Sequence, residues 1–367
     1  MTSDPDDRAD RLPAAGVTAA RLTASARHTA SARLTAQLLA GPPAGDPESV
    51  AGRLLAVQGQ DPRGARLAIR ARSQGLYAAD VDRALSEERS LLISWLNRGT
   101  LHLVRSEDYP WLHALTTPPL FTASARRLAQ EGVSPGAAER GVAAIERALA
   151  QHGPLTREQL RERVAGAGVR TEGQALVHVL MLASLRGLIV RGPMAGGQHA
   201  YALVRDWLGE PAPVDRDSAL AELARRYLAG HGPADDRDLA RWAGLPLRDA
   251  RAGLNAIVSE LEQREDSLVD LSDRRPAAEL PPPRLLGPFD PLLLGWTSRE
   301  EVVGPHKPLV TINGIFKPFA LVDGRAVATW GYAGGKVTIA PLGKIANKAT
   351  AALNRDAAAV EEFLAHE

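Results

Sequence analysis

The stretch HGPLTREQL, residues 152–160, recurs as HGPADDRDL at residues 231–239, and this repeat decides the fold class. An amphipathic helical pattern precedes each copy, and a hydroxyl or carboxylate residue inside each copy is placed to cap a following helix. A short helix, a turn and a longer helix follow each copy. Because this is the order of a helix-turn-helix, the repeat predicts two units of DNA-binding architecture.

Strand patterns complete these units as winged helices. Residues 188–192 and 200–204 flank a glycine-rich tip and predict a β-hairpin wing, and residues 268–271 supply a strand after the second copy. Upstream, residues 90–104 predict a helix that ends near Trp95, a glycine turn and then a strand. With residues 17–105 included, the chain is predicted to contain three tandem winged-helix domains.

The character of the chain changes to β after a proline-rich linker at residues 276–283. Five or six short strands, separated by Asn313-Gly314 and Asp323-Gly324 turns, predict a small β-barrel. The predicted fold is therefore α+β, with three winged helices followed by the barrel. The predicted boundaries are a disordered tail 1–16, winged helices 17–135, 136–213 and 214–280, a barrel 284–345 and a C-terminal helix 346–367.

Composition excludes several classes of function. The net charge is +1, so a nucleic-acid surface must come from local clusters, and residues 53–72 hold five arginines against one acid. Cysteine is absent and the nine histidines show no ligand spacing, so neither a metal nor a cofactor is expected. No apolar run reaches the ~20 residues of a membrane span. The acidic N-terminus does not resemble a signal peptide, so a cytoplasmic protein is expected. A monomer is the default expectation, and the DNA-binding architecture makes it nucleoid-associated.

The candidate site is the stretch VQGQDP at residues 57–62. In an extended backbone, Gln58 and Gln60 point to the same face and present two amides that donate and accept hydrogen bonds. Arginines follow at once, which suits a polyanionic ligand. Asp61 is the rival candidate for a general base, although in an extended segment its carboxylate points away from both glutamines.

Other chemistry-bearing motifs are incomplete. The stretch ending in Gly335-Lys336-Val337 lacks the first glycine and the hydroxyl residue of a phosphate-binding loop. The pair Gly166 and Gly168 follows a helix rather than a strand, so it is no dinucleotide fingerprint. No serine–histidine–acid arrangement can be supported from the sequence.

Three stretches together resemble the winged-helix DNA glycosylases typified by AlkZ and YcaQ. They are VQGQDP (57–62), WLNRGTLHLV (95–104), and FDPLLLG (289–295) with GIFKP (314–318). The likeness follows the AlkZ branch, whose motif is glutamine–any–glutamine. Ala56 and Gln60 stand where the YcaQ branch has histidine and aspartate.

This resemblance implies a C-shaped arrangement of the four domains around a basic concave channel for double-stranded DNA. It implies monofunctional excision of N7-alkylated purines, with Gln58 and Gln60 as the catalytic residues. Members of the AlkZ branch unhook crosslinks made by a DNA-alkylating natural product and protect its producer, which implies base excision repair and antibiotic self-resistance here.

Charge predicts further contacts with DNA. They are assigned to Arg63, Arg66, Arg98, His102, Lys307 and Lys317. His102 has a second interpretation as a packing histidine. Two other functions stay open at this point: a non-catalytic winged-helix transcriptional regulator, and a damage-binding protein that uses the same channel without catalysis.

Overall fold

The computed structural model describes residues 24–210, 212–274, 276–304, 309–311 and 314–365. The predicted tail therefore lies outside the described residues. The first region contains α1 (Ala24–Ala36), α2 (Pro47–Leu54), β1 (Val57–Gln58), α3 (Pro62–Arg70), α4 (Ala78–Ser86), β2 (Leu91–Leu96), β3 (Thr100–Arg105), α5 (Tyr109–Thr116) and α6 (Phe121–Gln130). A short 3-10 turn, Asn97–Gly99, joins β2 to β3.

The helices predicted around both copies of the repeat are confirmed. The second region contains α7 (Pro135–His152), α8 (Arg157–Gly166), α9 (Ala175–Leu185), β4 (Ile189–Ala195), β5 (Gln198–Leu203) and α10 (Val204–Trp207). The third contains α11 (Arg216–His231), α12 (Asp236–Ala243), α13 (Leu247–Ala256), β6 (Leu261–Gln263) and β7 (Val269–Leu271). The side chains of Thr156 and Asp235 accept backbone N–H bonds at the starts of α8 and α12, as N-caps do.

A five-stranded sheet joins the first two regions, with the order β1-β3-β2-β4-β5. The predicted hairpin of the second region is confirmed as β4 and β5, and it attaches to β2 at the pair Ile93 and Arg191. The helix predicted from residue 90 to Trp95 is wrong, because β2 occupies that stretch. All six residues of β2 are buried, since both faces are covered, and such a run lacks the alternation that identifies a strand in sequence.

The closed β-barrel predicted for residues 284–345 is also wrong. The strands β8 (Arg284–Leu286), β9 (Phe319–Val322), β10 (Arg325–Ala333) and β11 (Lys336–Pro341) form an open antiparallel sheet in the order β11-β10-β9-β8. Residues 288–296, inside the predicted barrel, contain a 3-10 turn, Pro291–Leu293, and a short helix α14 (Glu300–Val303) follows them. The final helix α15 (Asn347–Leu364) packs against β8 and β11, and its Leu353, Val360 and Phe363 share an apolar core with the sheet.

A buried ion pair ties the C-terminal region to the first region. The guanidinium of Arg72 donates to both carboxylate oxygens of Asp290, at 2.8 and 2.9 Å, and both side chains are fully buried. Arg72 also donates to the side-chain oxygen of Gln37 and to the carbonyl oxygen of Ala68. This contact fixes the loop after β8 against the end of α3, the helix that begins immediately after the two glutamines.

Candidate active site

Gln58 lies on β1 and is directly opposite His102 on β3. The backbone N–H of Gly59 donates to Leu101 at 2.7 Å, so the Gln58–His102 pair is the non-hydrogen-bonded kind, in which side chains approach most closely. Gln58 is only 8% exposed. None of the described residues forms a hydrogen bond with its side-chain amide, which leaves two donors and one acceptor for a ligand.

Gln60 is exposed, and its amide has a fixed orientation. Its Oε1 accepts a hydrogen bond from the backbone N–H of Leu101 at 3.2 Å. Because a backbone N–H can only donate, this contact assigns the oxygen to the strand and directs the NH2 group away from it. The two glutamines therefore differ. Gln58 is buried and its amide has no hydrogen-bond partner among the described residues, whereas Gln60 is exposed and its oxygen is bonded to the backbone of Leu101.

Asp61 is a helix cap. Its Oδ1 accepts the backbone N–H of Gly64 at 2.9 Å at the start of α3, and its extended backbone is that of an N-cap residue. The carboxylate is half-buried and makes no hydrogen bond with either glutamine. This contact accounts for Asp61 without a role as general base.

His102 is a neutral, buried histidine. Its Nδ1 lies 2.9 Å from the carbonyl oxygen of Thr100, so Nδ1 carries the proton and Nε2 has the lone pair. Burial, followed by the nearby Arg98, lowers the pKa of His102 to about 3. At 2% exposure the imidazole presents little surface to a ligand, which favours the packing interpretation, and its DNA contact stays a prediction.

Polar atoms without partners surround this point of the sheet. Ser94 on β2 pairs with His102 in the strand register, and Thr100 lies two residues before it on the same face. The hydroxyl of Thr100 and both amide atoms of Asn97 are buried and have no hydrogen-bond partner among the described residues, whereas the buried hydroxyl of Ser94 lies near that of Tyr109. Native proteins leave few such atoms, and where they cluster they mark a candidate site.

Sequence reasoning missed Ser94 and Asn97. Each is a polar residue in the otherwise apolar stretch LLISWLN at residues 91–97, and that interruption was the available signal. This polar interruption does not indicate a site if the stretch is taken as a helix, because Ser94 and His102 are then not neighbours.

The arginines predicted to contact phosphate have different environments. Arg66 is buried, and its guanidinium donates to Asp82 at 2.6 and 2.9 Å, which favours a structural role, while its DNA contact stays a prediction. Arg63 is exposed and lies over the ring of Tyr332, 5.2 Å from its centroid. Arg98 is half-buried at the turn between β2 and β3, where its guanidinium donates to the carbonyl oxygen of Trp242.

The predicted lysine contacts lie in the C-terminal region. Lys317 is exposed, and its backbone N–H donates to Leu309 at 2.9 Å. Lys307 lies outside the described residues. Across the part of the chain that the structure describes, no cluster of three or more metal-ligating side chains occurs, and no helix is long and apolar enough to span a membrane.

The sequence and the structure of this chain are similar to those of known proteins. Residues 51–363 match the family described as DNA glycosylase AlkZ-like. A relative from Streptomyces sahachiroi named interstrand DNA cross-link repair glycosylase is 27% identical over 335 residues, which cover 85% of this chain and 89% of that protein. The solved structure of the Streptomyces sahachiroi DNA glycosylase AlkZ superposes with a TM-score of 0.75 at 25% identity, covering 93% of this chain and 97% of that chain. The chain therefore belongs to the AlkZ-like family of DNA glycosylases.

Proposed function

We propose that this DNA glycosylase hydrolyses the N-glycosidic bond of N7-alkylguanine and N3-alkyladenine in double-stranded DNA, with Gln58 and Gln60 as its catalytic residues. The observation that carries the proposal is the amide of Gln58, which is almost buried and has no hydrogen-bond partner among the described residues, two residues before Gln60, whose oxygen is bonded to Leu101. The buried polar atoms of Asn97 and Thr100, which have no hydrogen-bond partner among the described residues, support a polar site.

The choice of lesion follows from the chemistry of an amide. Excision passes through a cationic, oxocarbenium-like sugar, as glycoside hydrolysis does, and a carboxylate would stabilise it and take a proton from water. A glutamine amide is not a base at neutral pH, so it can only position water or the sugar. The neutral His102 is also a weak base, and the carboxylate of Asp61 is used as a helix cap. The substrate must therefore leave readily, as a positively charged alkylpurine does.

We further propose that the enzyme unhooks interstrand crosslinks formed by a DNA-alkylating natural product and so gives self-resistance through base excision repair. The name of the Streptomyces sahachiroi relative supports this extension. A crosslinked base is tied to both strands and cannot flip out freely. We therefore expect excision from an open site that is reached from the groove, within the basic channel that the family resemblance implies.

The decisive experiment measures base release from a duplex oligonucleotide with a single N7-methylguanine. We expect release above the spontaneous rate by the wild-type protein and a loss of about 100-fold or more in Gln58→Ala and Gln60→Ala, since positioning contributes on that scale. Duplex binding by both variants should be retained. A uracil-containing duplex is the matched negative substrate, because uracil is a neutral base and leaves poorly.

Two outcomes would contradict the proposal. Full activity in both glutamine variants would remove their catalytic role, and efficient release of uracil would show that the substrate need not be cationic. Membership of a glycosylase family favours an enzyme over the transcriptional regulator and the non-catalytic damage-binding protein that the sequence left open.

A further inference from the structure

The turn between β2 and β3 is fixed against the third region. The guanidinium of Arg98 donates to the carbonyl oxygen of Trp242, near the end of α12. Gly244 permits this approach, since a Cβ at that position would lie 2.6 Å from the backbone nitrogen of Arg98. The cation of Arg98 is therefore held next to Arg241, the residue before Trp242.

A second contact brings Arg299 to the same place. Oδ1 of Asp238 on α12 accepts the backbone N–H and the hydroxyl of Thr297, at 2.8 and 2.7 Å. Arg241 lies three residues after Asp238 and so shares its helix face, and Arg299 lies two residues after Thr297. Three arginines from three separate segments therefore meet at this junction.

Their charges influence one another. Burial first, and Arg241 and Arg299 second, lower the pKa of Arg98 to about 10, and burial followed by Arg241 lowers the pKa of Arg299. Arg299 donates through Nε to the carbonyl oxygen of Leu293 and lies over the ring of Phe316. These contacts orient the Arg299 guanidinium without neutralising its charge.

No carboxylate compensates this cluster among the described residues. The salt bridges found there include none to Arg98, Arg241 or Arg299. Asp238, which shares a helix face with Arg241, is bonded to Thr297 and lies 3.7 Å from Arg33. Three cations held together without a counter-charge favour an anionic ligand, and planar guanidinium groups match the oxygens of a phosphate.

The cluster also adjoins the glutamine pair. Leu101, three residues after Arg98 along the same turn and strand, donates its backbone N–H to Gln60. Arg98 is close enough to His102, the partner of Gln58 in the strand register, to depress its pKa. An anion held by the arginines would therefore lie beside the residues assigned to catalysis.

We propose that Arg98, Arg241 and Arg299 form a binding site for one backbone phosphate of the DNA strand that carries the damaged base. Arg241, which is exposed, and Arg299 contact the phosphate. Arg98 adds a third positive charge to the site, and its hydrogen bond to Trp242 holds the turn between β2 and β3 in place. This site rests on the proposed function and extends it, because it fixes the strand register next to Gln58 and Gln60.

The test compares two double variants that remove the same charge. Arg241→Gln with Arg299→Gln removes the proposed contacts, and Arg83→Gln with Arg205→Gln removes two exposed arginines that are paired with Asp80, Glu88 and Glu146. Binding of an undamaged 20-base-pair duplex is measured by fluorescence anisotropy at several salt concentrations. We expect about tenfold weaker binding for the first variant and a salt slope lower by about 0.9, the value for one lost phosphate contact.

The control variant should keep the wild-type salt slope, and Arg241→Lys with Arg299→Lys should restore the slope while recovering only part of the affinity. Two results would overturn the phosphate site. One is equal duplex binding by the Arg241→Gln, Arg299→Gln variant and the Arg83→Gln, Arg205→Gln variant, and the other is a wild-type protein that does not bind the duplex. Base release by the wild-type protein from the N7-methylguanine duplex is scored separately. A variant that loses DNA binding while the wild type releases no base would leave the phosphate site standing and reject the proposed excision.

Discussion

At the scale of single residues, the orientation of Gln60 defines what this side chain offers to a substrate. Its oxygen is bound by the backbone N–H of Leu101, so its free group is the NH2 donor. In Gln60→Glu, one carboxylate oxygen would still accept from Leu101, whereas the donor would be lost. We therefore expect Gln60→Glu to fold stably, since an acid is favourable near the start of α3, but to excise N7-methylguanine as poorly as Gln60→Ala. Wild-type or faster excision by Gln60→Glu would show that the NH2 group is not used.

Two substitutions of Asp61 distinguish its role as a helix cap from a role as general base. Since its carboxylate caps α3, Asp61→Ala should lower the free energy of unfolding by about 1 kcal/mol, and Asp61→Asn should leave it nearly unchanged because asparagine caps equally well. Urea unfolding measures both values. We expect Asp61→Asn to retain base release, and a selective loss of activity in that stable variant would return the catalytic role to the carboxylate.

At the scale of elements, the Arg72–Asp290 pair joins α3 to the loop after β8. Removing one partner leaves a buried charge, so Asp290→Asn should lower the free energy of unfolding by about 3–5 kcal/mol, as measured by urea unfolding. The double variant Arg72→Met with Asp290→Asn should recover a large part of this loss, because no uncompensated charge remains. Equal instability of the single and double variants would show that the pair acts through hydrogen bonds rather than charge.

The packing of α3 against the same loop depends on a glycine. A Cβ at Gly64 would lie 2.6 Å from the carbonyl oxygen of Pro288, so Gly64→Ala should push the two segments apart and lower the free energy of unfolding by about 1–3 kcal/mol. Gly166 in α8 is the matched control, since a Cβ there meets nothing within 4 Å. Gly166→Ala should stabilise the protein by about 0.5–1 kcal/mol in the same thermal or urea unfolding experiment. Equal effects of the two substitutions would contradict the close approach.

At the scale of the whole molecule, three histidines make the protein sensitive to acid, namely the buried His102 and His231 and the half-buried His199. The pKa is about 3 for His102 and His231 and about 4 for His199, each lowered chiefly by burial. Above pH ~6.5, these groups are neutral in the folded and unfolded chain and contribute nothing. Below it, only the unfolded chain binds protons, so the free energy of unfolding should fall by about 1.4 kcal/mol per pH unit for each histidine until the folded pKa is reached.

Urea unfolding at pH 7.0 and at pH 5.5 measures this fall. The variant His199→Gln lacks one group that binds a proton only in the unfolded chain. The fall in its free energy of unfolding between these two pH values should therefore be smaller by the contribution of one histidine. A variant with the same pH dependence as the wild type would show that His199 does not remain neutral in the folded protein.

Local sequence signals were sufficient for the helices around both copies of the repeat and for short-range turns. The repeat at residues 152–160 and 231–239 was followed by the predicted helices, and Asp323-Gly324 makes the turn between β9 and β10, with φ values of 50° and 77°. These features depend on capping, periodicity and backbone freedom, which act over a few residues. The domain boundaries, the winged-helix count, the C-shaped channel and the catalytic glutamines stay predictions.

The sequence by itself determined the helices that flank both copies of the repeat, the β-hairpin of the second region and the choice of the glutamine pair as the candidate site. The tertiary structure decided what each side chain meets. Both faces of β2 are covered, and α15 packs on the open C-terminal sheet. Gln58 is buried opposite His102, and Arg98, Arg241 and Arg299 lie at one junction. Burial and charge proximity arise from contacts between residues far apart in the chain, and no local pattern encodes them.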